Sequence, residues 1–112
     1  MNTSDTEIYE LHAEFCKLIA NPKRLMIVEL LSKKELSVGE IAQELKVLPS
    51  NISQHLRVLR SRHIVGMRKD GQTVYYSLTN PRLPKVCAEI RSILLEGMEK
   101  RGRKAKGLIR NK

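Results

Sequence analysis

The sequence predicts a mainly α-helical domain carrying one β-hairpin, and three observations carry that expectation. Apolar residues recur at helical spacing in five stretches, an Asp70-Gly71 step separates two β-prone runs, and the 41% apolar share includes only 4% aromatic residues. A core of Leu, Ile, Val and Met suits packed helices better than an aromatic-rich sandwich. With 112 residues the chain suits one compact domain, expected over 1–100, and leaves no room for a catalytic domain of ordinary size. A core this small is modest, so self-association would add to it.

Ile8, Leu11, Phe15, Leu18 and Ile19 fall on one helical face, and the acidic residues ahead of them suit a helix N-terminus, which places a first helix at about 5–20. Asn21-Pro22 breaks the chain there. Pro22 fits the first turn of a second helix over roughly 22–33, with Leu25, Val28 and Leu30 or Leu31 inward. Ser37, followed three residues later by Glu40, is a capping-box pattern opening a short third helix through Ile41, Ala42 and Leu45 to about Lys46. Pro49-Ser50 opens a fourth helix reaching about His63, whose Ile52, Leu56 and Leu59 repeat at i, i+4, i+7 and must face the core. From Ile64 to Leu78, Val65 and Met67 precede the Asp-Gly step and Val74, Tyr75, Tyr76 and Leu78 follow it, a strong hairpin signal. Alternate strand positions would pack one tyrosine ring on the core and leave the other near the base of the hairpin. Asn80-Pro81 closes the hairpin, and Val86, Ile90, Ile93, Leu94 and Met98 mark a fifth helix. The segment 101–112 is basic and poorly periodic and is expected to be a disordered tail.

Two helices, a short helix, a turn, an amphipathic helix and a hairpin make up, in that order, a winged helix-turn-helix. Charge points to the same use. The net charge of +9 makes polyanions the first suspects as partners. Residues 1–14 carry four acids and no base, 100–112 carry seven bases and no acid, and 46–73 hold six Lys and Arg against the single acid Asp70. No run of about 20 apolar residues is present to span a bilayer, and the acidic N-terminus lacks the form of a signal peptide, so a cytoplasmic location is expected. Two cysteines, Cys16 and Cys87, are too few for a secreted disulfide framework.

Opposite the apolar stripe of the fourth helix lie Ser50, Gln54, Arg57 and Ser61, flanked by Asn51 and Ser53. Gln or Asn pairs bidentately with adenine, Arg with guanine, and hydroxyls with base edges or phosphates. An ordinary solvated helix face would mix Glu with Lys, whereas 46–69 contain no carboxylate. The hairpin that follows bears Arg68 and Lys69 for phosphate or minor-groove contact. The DNA-contacting residues expected are therefore Ser37, Ser50, Asn51, Ser53, Gln54, Arg57, Arg68, Lys69, Gln72 and Thr73, and the expected partner is double-stranded DNA. His55, beside the core face, reads as a packed, hydrogen-bonded residue that positions the helix.

Ser53-Gln54-His55-Leu56-Arg57-Val58-Leu59, together with Arg68 to Leu78, resembles the ArsR/SmtB family of bacterial and archaeal repressors. The resemblance spans about 8–100 and includes Asn21-Pro22-Lys23-Arg24-Leu25 and Leu36-Ser37-Val38-Gly39-Glu40-Ile41-Ala42. It implies a homodimer joined through the first and fifth helices, binding an operator of approximate dyad symmetry as a repressor and usually released by an inducer. His63 departs from the glycine that such proteins commonly place after the fourth helix. Metal-sensing members resemble one another in a Cys-x-Cys in the third helix, or in acidic and His ligands along the fifth. This chain has neither, so no metal site and no cofactor are expected.

Cys16 and Cys87 lie on the two helices that the resemblance assigns to the dimer interface. A thiol switch that releases the operator and a pair of small buried hydrophobes both remain open for them. A disulfide between them would close about 70 residues, a loop-entropy effect on the order of 4 kcal/mol. A protein-interaction module on the same fold would predict acids on the fourth helix, which are missing. Catalysis is disfavoured because no nucleophile-base-acid set, phosphate loop or metal cluster stands in the sequence, and the stacking aromatics of sequence-specific RNA modules are absent from the fourth helix.

Overall fold

A computed structural model describes residues 2–102. Its elements in chain order are α1 (Thr3–Ile19), α2 (Pro22–Leu31), β1 (Leu36–Ser37), α3 (Val38–Leu45), α4 (Pro49–Ser61), β2 (Val65–Asp70), β3 (Thr73–Leu78) and α5 (Arg82–Lys100). Two compact units divide the chain after Pro81. The expected tail lies, beyond Gly102, outside the described residues.

Within the first unit the core is aliphatic. Ile27, Val28 and Leu31 of α2, Ile41 and Ala42 of α3, Ile52, Leu56 and Leu59 of α4, and Leu36, Ile64 and Val65 around the strands are all buried. Each fully buried aliphatic side chain of this size contributes roughly 1.5–3 kcal/mol. The helices meet as the spacing of these residues requires, with α3 against α4 and α2 against both.

Side chains and backbone turns set the helix ends. Asn21 Oδ1 accepts from the Lys23 and Arg24 amides at the start of α2, and Pro22 stands where no donor is needed. The capping box of α3 forms as its spacing predicts: Ser37 Oγ accepts from the Glu40 amide at 3.2 Å, and the Ser37 amide donates to Glu40 Oε1 at 2.9 Å. α4 stops two residues short of His63. There the His63 amide donates to the Arg60 carbonyl and the Ile64 amide to the Leu59 carbonyl, a Schellman turn with His63 left-handed at φ 59°. α3 ends the same way, with Lys46 at φ 57° and the Val47 amide on the Ala42 carbonyl.

The strands form a three-stranded antiparallel sheet in the order β1-β3-β2. β1 was not expected from the sequence; it pairs Leu36 with Tyr76 and Ser37 with Tyr75, tying the start of α3 to the hairpin. Asp70 pairs with Thr73, so the two-residue loop is Gly71-Gln72 rather than Asp70-Gly71. Gly71 alone of the pair has positive φ, at 64°, the pattern of a type II′ turn that matches the twist of its strands. Thr79 fastens the base of the hairpin, its hydroxyl donating to the His63 carbonyl at 2.5 Å.

α1 forms where predicted but buries none of its residues; Ile8, Leu11 and Phe15 are exposed. α5, taken by itself, buries Pro84 and Cys87 and exposes Val86, Ile90, Ile93 and Leu94. Among the described residues no helix is long and apolar enough to cross a membrane.

Candidate nucleic-acid interface

α4 owes its orientation to Ile52, Leu56 and Leu59, which are each at most 1% exposed and turn one stripe inward. Helical geometry then carries Ser50, Asn51, Ser53, Gln54 and Arg57 outward, and all five are exposed. None of these five side chains makes a hydrogen bond or ion pair with a described residue, so their donors and acceptors are available to a ligand. Arg60 shares this face and was missed by the sequence-based face. It stands three residues after Arg57 and seven after Ser53, a spacing that the helical wheel alone would have found. A cleft lined by Ser53, Arg57, Arg60, His63 and Tyr76 runs along the hairpin side of the helix.

His55 flanks the reading face, half-buried, and its Nδ1 accepts from Arg24 Nε at 3.3 Å. Arg24 also donates to the Leu18 carbonyl at 2.7 Å, so one guanidinium ties the end of α1 to α4. Burial, then the charges of Arg24 and Lys23, hold the His55 pKa below its ordinary value of 6.5. A neutral ring with a bare Nδ1 is what Arg24 requires.

In the hairpin, Lys69, Gln72 and Thr73 are exposed at the tip. Arg68 is engaged differently. Its Nε lies 3.1 and 3.2 Å from the two Glu35 oxygens, and its guanidinium also contacts Asp70 at 3.8 Å and sits 5.0 Å from the centre of the Tyr75 ring. The Arg68 hydrogen bonds hold the Glu35 carboxyl below the usual carboxylate range. Glu35 and Asp70 therefore offset much of the charge of Arg68, which braces the hairpin against the strand-capped start of α3. Of the tyrosines, Tyr75 lies beneath Arg68 while Tyr76 faces the cleft beside α4, and both are half-buried. The Ser37 hydroxyl oxygen is taken up in the α3 cap.

Cys16 is exposed and Cys87 buried. Among the described residues no three His, Cys, Asp or Glu side chains are grouped to hold a metal ion.

Comparison with known proteins agrees with this arrangement. The sequence model described as "Bacterial regulatory protein, arsR family" matches residues 21–65, from the start of α2 to the start of β2. An uncharacterized HTH-type transcriptional regulator of Mycobacterium tuberculosis, Rv0081, is 38% identical over 88 residues, covering 78% of this chain and 77% of its own. Its crystal structure superposes with a TM-score of 0.75 over 84% of this chain and 95% of that one. The transcriptional repressor SmtB homolog of Synechocystis is 38% identical over 84 residues, 75% of this chain and 64% of its own. A homodimeric winged helix-turn-helix DNA-binding domain of Mycobacterium bovis, Mb0332, superposes with a TM-score of 0.76 at 25% identity, covering 89% of this chain and 93% of that one.

Proposed function

This chain belongs to the ArsR family of bacterial regulatory proteins, and we propose that it acts as a cytoplasmic, homodimeric, sequence-specific DNA-binding repressor. The observation that carries the proposal is the outer face of α4, where Ser50, Asn51, Ser53, Gln54 and Arg57 are exposed and uncommitted on a helix locked from behind by buried aliphatics. A recognition helix in the major groove needs this combination of a rigid frame and free short polar or forked side chains. Gln54 and Arg57 are the base readers. Lys69, with Gln72 and Thr73, contacts phosphates beside the groove; Arg68 braces the wing, and Ser37 supports the start of α3.

The relatives support the remaining parts. The Mycobacterium bovis domain is homodimeric, and here α1 and α5 each carry an uncovered apolar face that a second copy would cover. The Synechocystis relative is a repressor, and a dimer seated on its operator represses by occupying the DNA. No chemical step enters this action. Selection from a random duplex pool tests it: the chain should retrieve one sequence of approximate dyad symmetry with half-sites about one helical turn, ~34 Å, apart. Recovery of no preferred sequence would overturn the proposal.

A further inference from the structure

At 73% exposure, Leu48 is the most exposed of the large apolar side chains described, and its position is unusual. The other exposed apolar residues of α1 and α5 lie in helix faces, whereas Leu48 stands in the turn between α3 and α4 beside the polar residues of the reading face. It is also the N-cap of α4, with extended backbone at φ −69° and ψ 143° and no side-chain hydrogen bond to the first turn. Ser, Thr, Asp or Asn at such a position would accept from an amide of the first turn and stabilise the helix. Leucine forgoes that cap and places a hydrated isobutyl group at the front of α4. Neither folding term favours it: burial contributes little and capping nothing.

The N-terminal residues of a recognition helix enter the major groove most deeply, and the one apolar group displayed there by base pairs is the C5-methyl of thymine. We propose that Leu48 is a specificity-determining residue that contacts a thymine methyl in each operator half-site, next to the bases read from the first turns of α4. The inference rests on the DNA-reading proposal above. Pro49 holds the Leu48 backbone in the extended region that it occupies, so Leu48 stays outside the helix at its front.

The test uses the duplex that the full chain selects, synthesised with thymine or with deoxyuridine, which lacks only the methyl, at each thymine in turn. Wild type should bind about 15-fold more weakly when one symmetric pair of thymines loses its two methyls, about fourfold for each methyl-sized apolar group. Leu48→Ala should bind the thymine and uracil duplexes alike at that pair, and Leu48→Met should recover the preference. Leu48→Ser should also raise the Tm by about 4–8 °C through the restored cap, showing that lost preference is not lost folding. A thymine-to-uracil ratio in Leu48→Ala equal to that of wild type at every position overturns the inference alone. A wild-type chain that selects no sequence overturns it together with the DNA-reading proposal.

Discussion

His63 and Lys46 hold left-handed backbone, at φ 59° and 57°, at the ends of the two helices of the helix-turn-helix. Both occupy the position of a Schellman turn where glycine is usual, and a side chain there costs about 1–2 kcal/mol. His63 is exposed, and its contribution to the fold is through its backbone: its amide closes α4 and its carbonyl accepts from Thr79. His63→Gly should therefore stabilise the chain. Glycine returns about 0.5–1 kcal/mol to the unfolded state, leaving a net gain of about 0.5–1 kcal/mol and a Tm rise of about 2–8 °C. Thermal melting at fixed protein concentration measures it, and an unchanged or lowered Tm would show that the ring makes a compensating contact. The departure at His63 was legible because the family resemblance implies glycine there; nothing about a lysine announces the same geometry at Lys46. The bonds from the Lys46 amide to the Gln43 carbonyl and from the Val47 amide to the Ala42 carbonyl reveal it.

The elements themselves were largely legible, for a physical reason. Helical spacing of aliphatics, a capping box and a glycine turn act within a few residues and leave local marks. What joins the elements leaves none. β1 is two residues long and exists through pairing with Tyr75 and Tyr76 nearly forty residues later. Glu35 meets Arg68 across 33 residues, a contact that no local pattern announces. Arg24 and His55 lie 31 residues apart and link α2 to α4; the sequence indicated a positioning role for His55 but not its partner.

That link makes the seating of α4 dependent on pH. Burial and the neighbouring cations depress the His55 pKa in the folded chain, so between the folded value and 6.5 the unfolded chain binds the proton that the native one refuses. The stability contributed by the neutral ring is fully present above pH 6.5 and is lost as the pH falls through the folded value. Tm measured from pH 7.5 downward should fall more steeply for wild type than for His55→Gln. Parallel curves would contradict the assignment.

At the scale of the whole molecule, two surfaces remain incomplete. Among the described residues, apolar side chains of α1 and of α5 are exposed, and Ser50, Asn51, Ser53, Gln54 and Arg57 of α4 have donors and acceptors without partners. In the proposed function a second copy covers the apolar faces and duplex DNA meets the polar one, and the net charge of +9 favours a polyanion at long range. Charge alone confers attraction without choice; in the proposed function choice depends on Gln54 and Arg57. Each good bidentate base contact is worth about 1–3 kcal/mol, so removing two should cost at least ~30-fold in preference while phosphate attraction and folding persist. The direct test is the affinity of the Gln54→Ala, Arg57→Ala double variant for the selected duplex and for a scrambled duplex of equal length, at one salt concentration. The two affinities should converge, with the helical content and oligomeric state of wild type retained; a preference equal to that of wild type would show that this face of α4 does not read DNA.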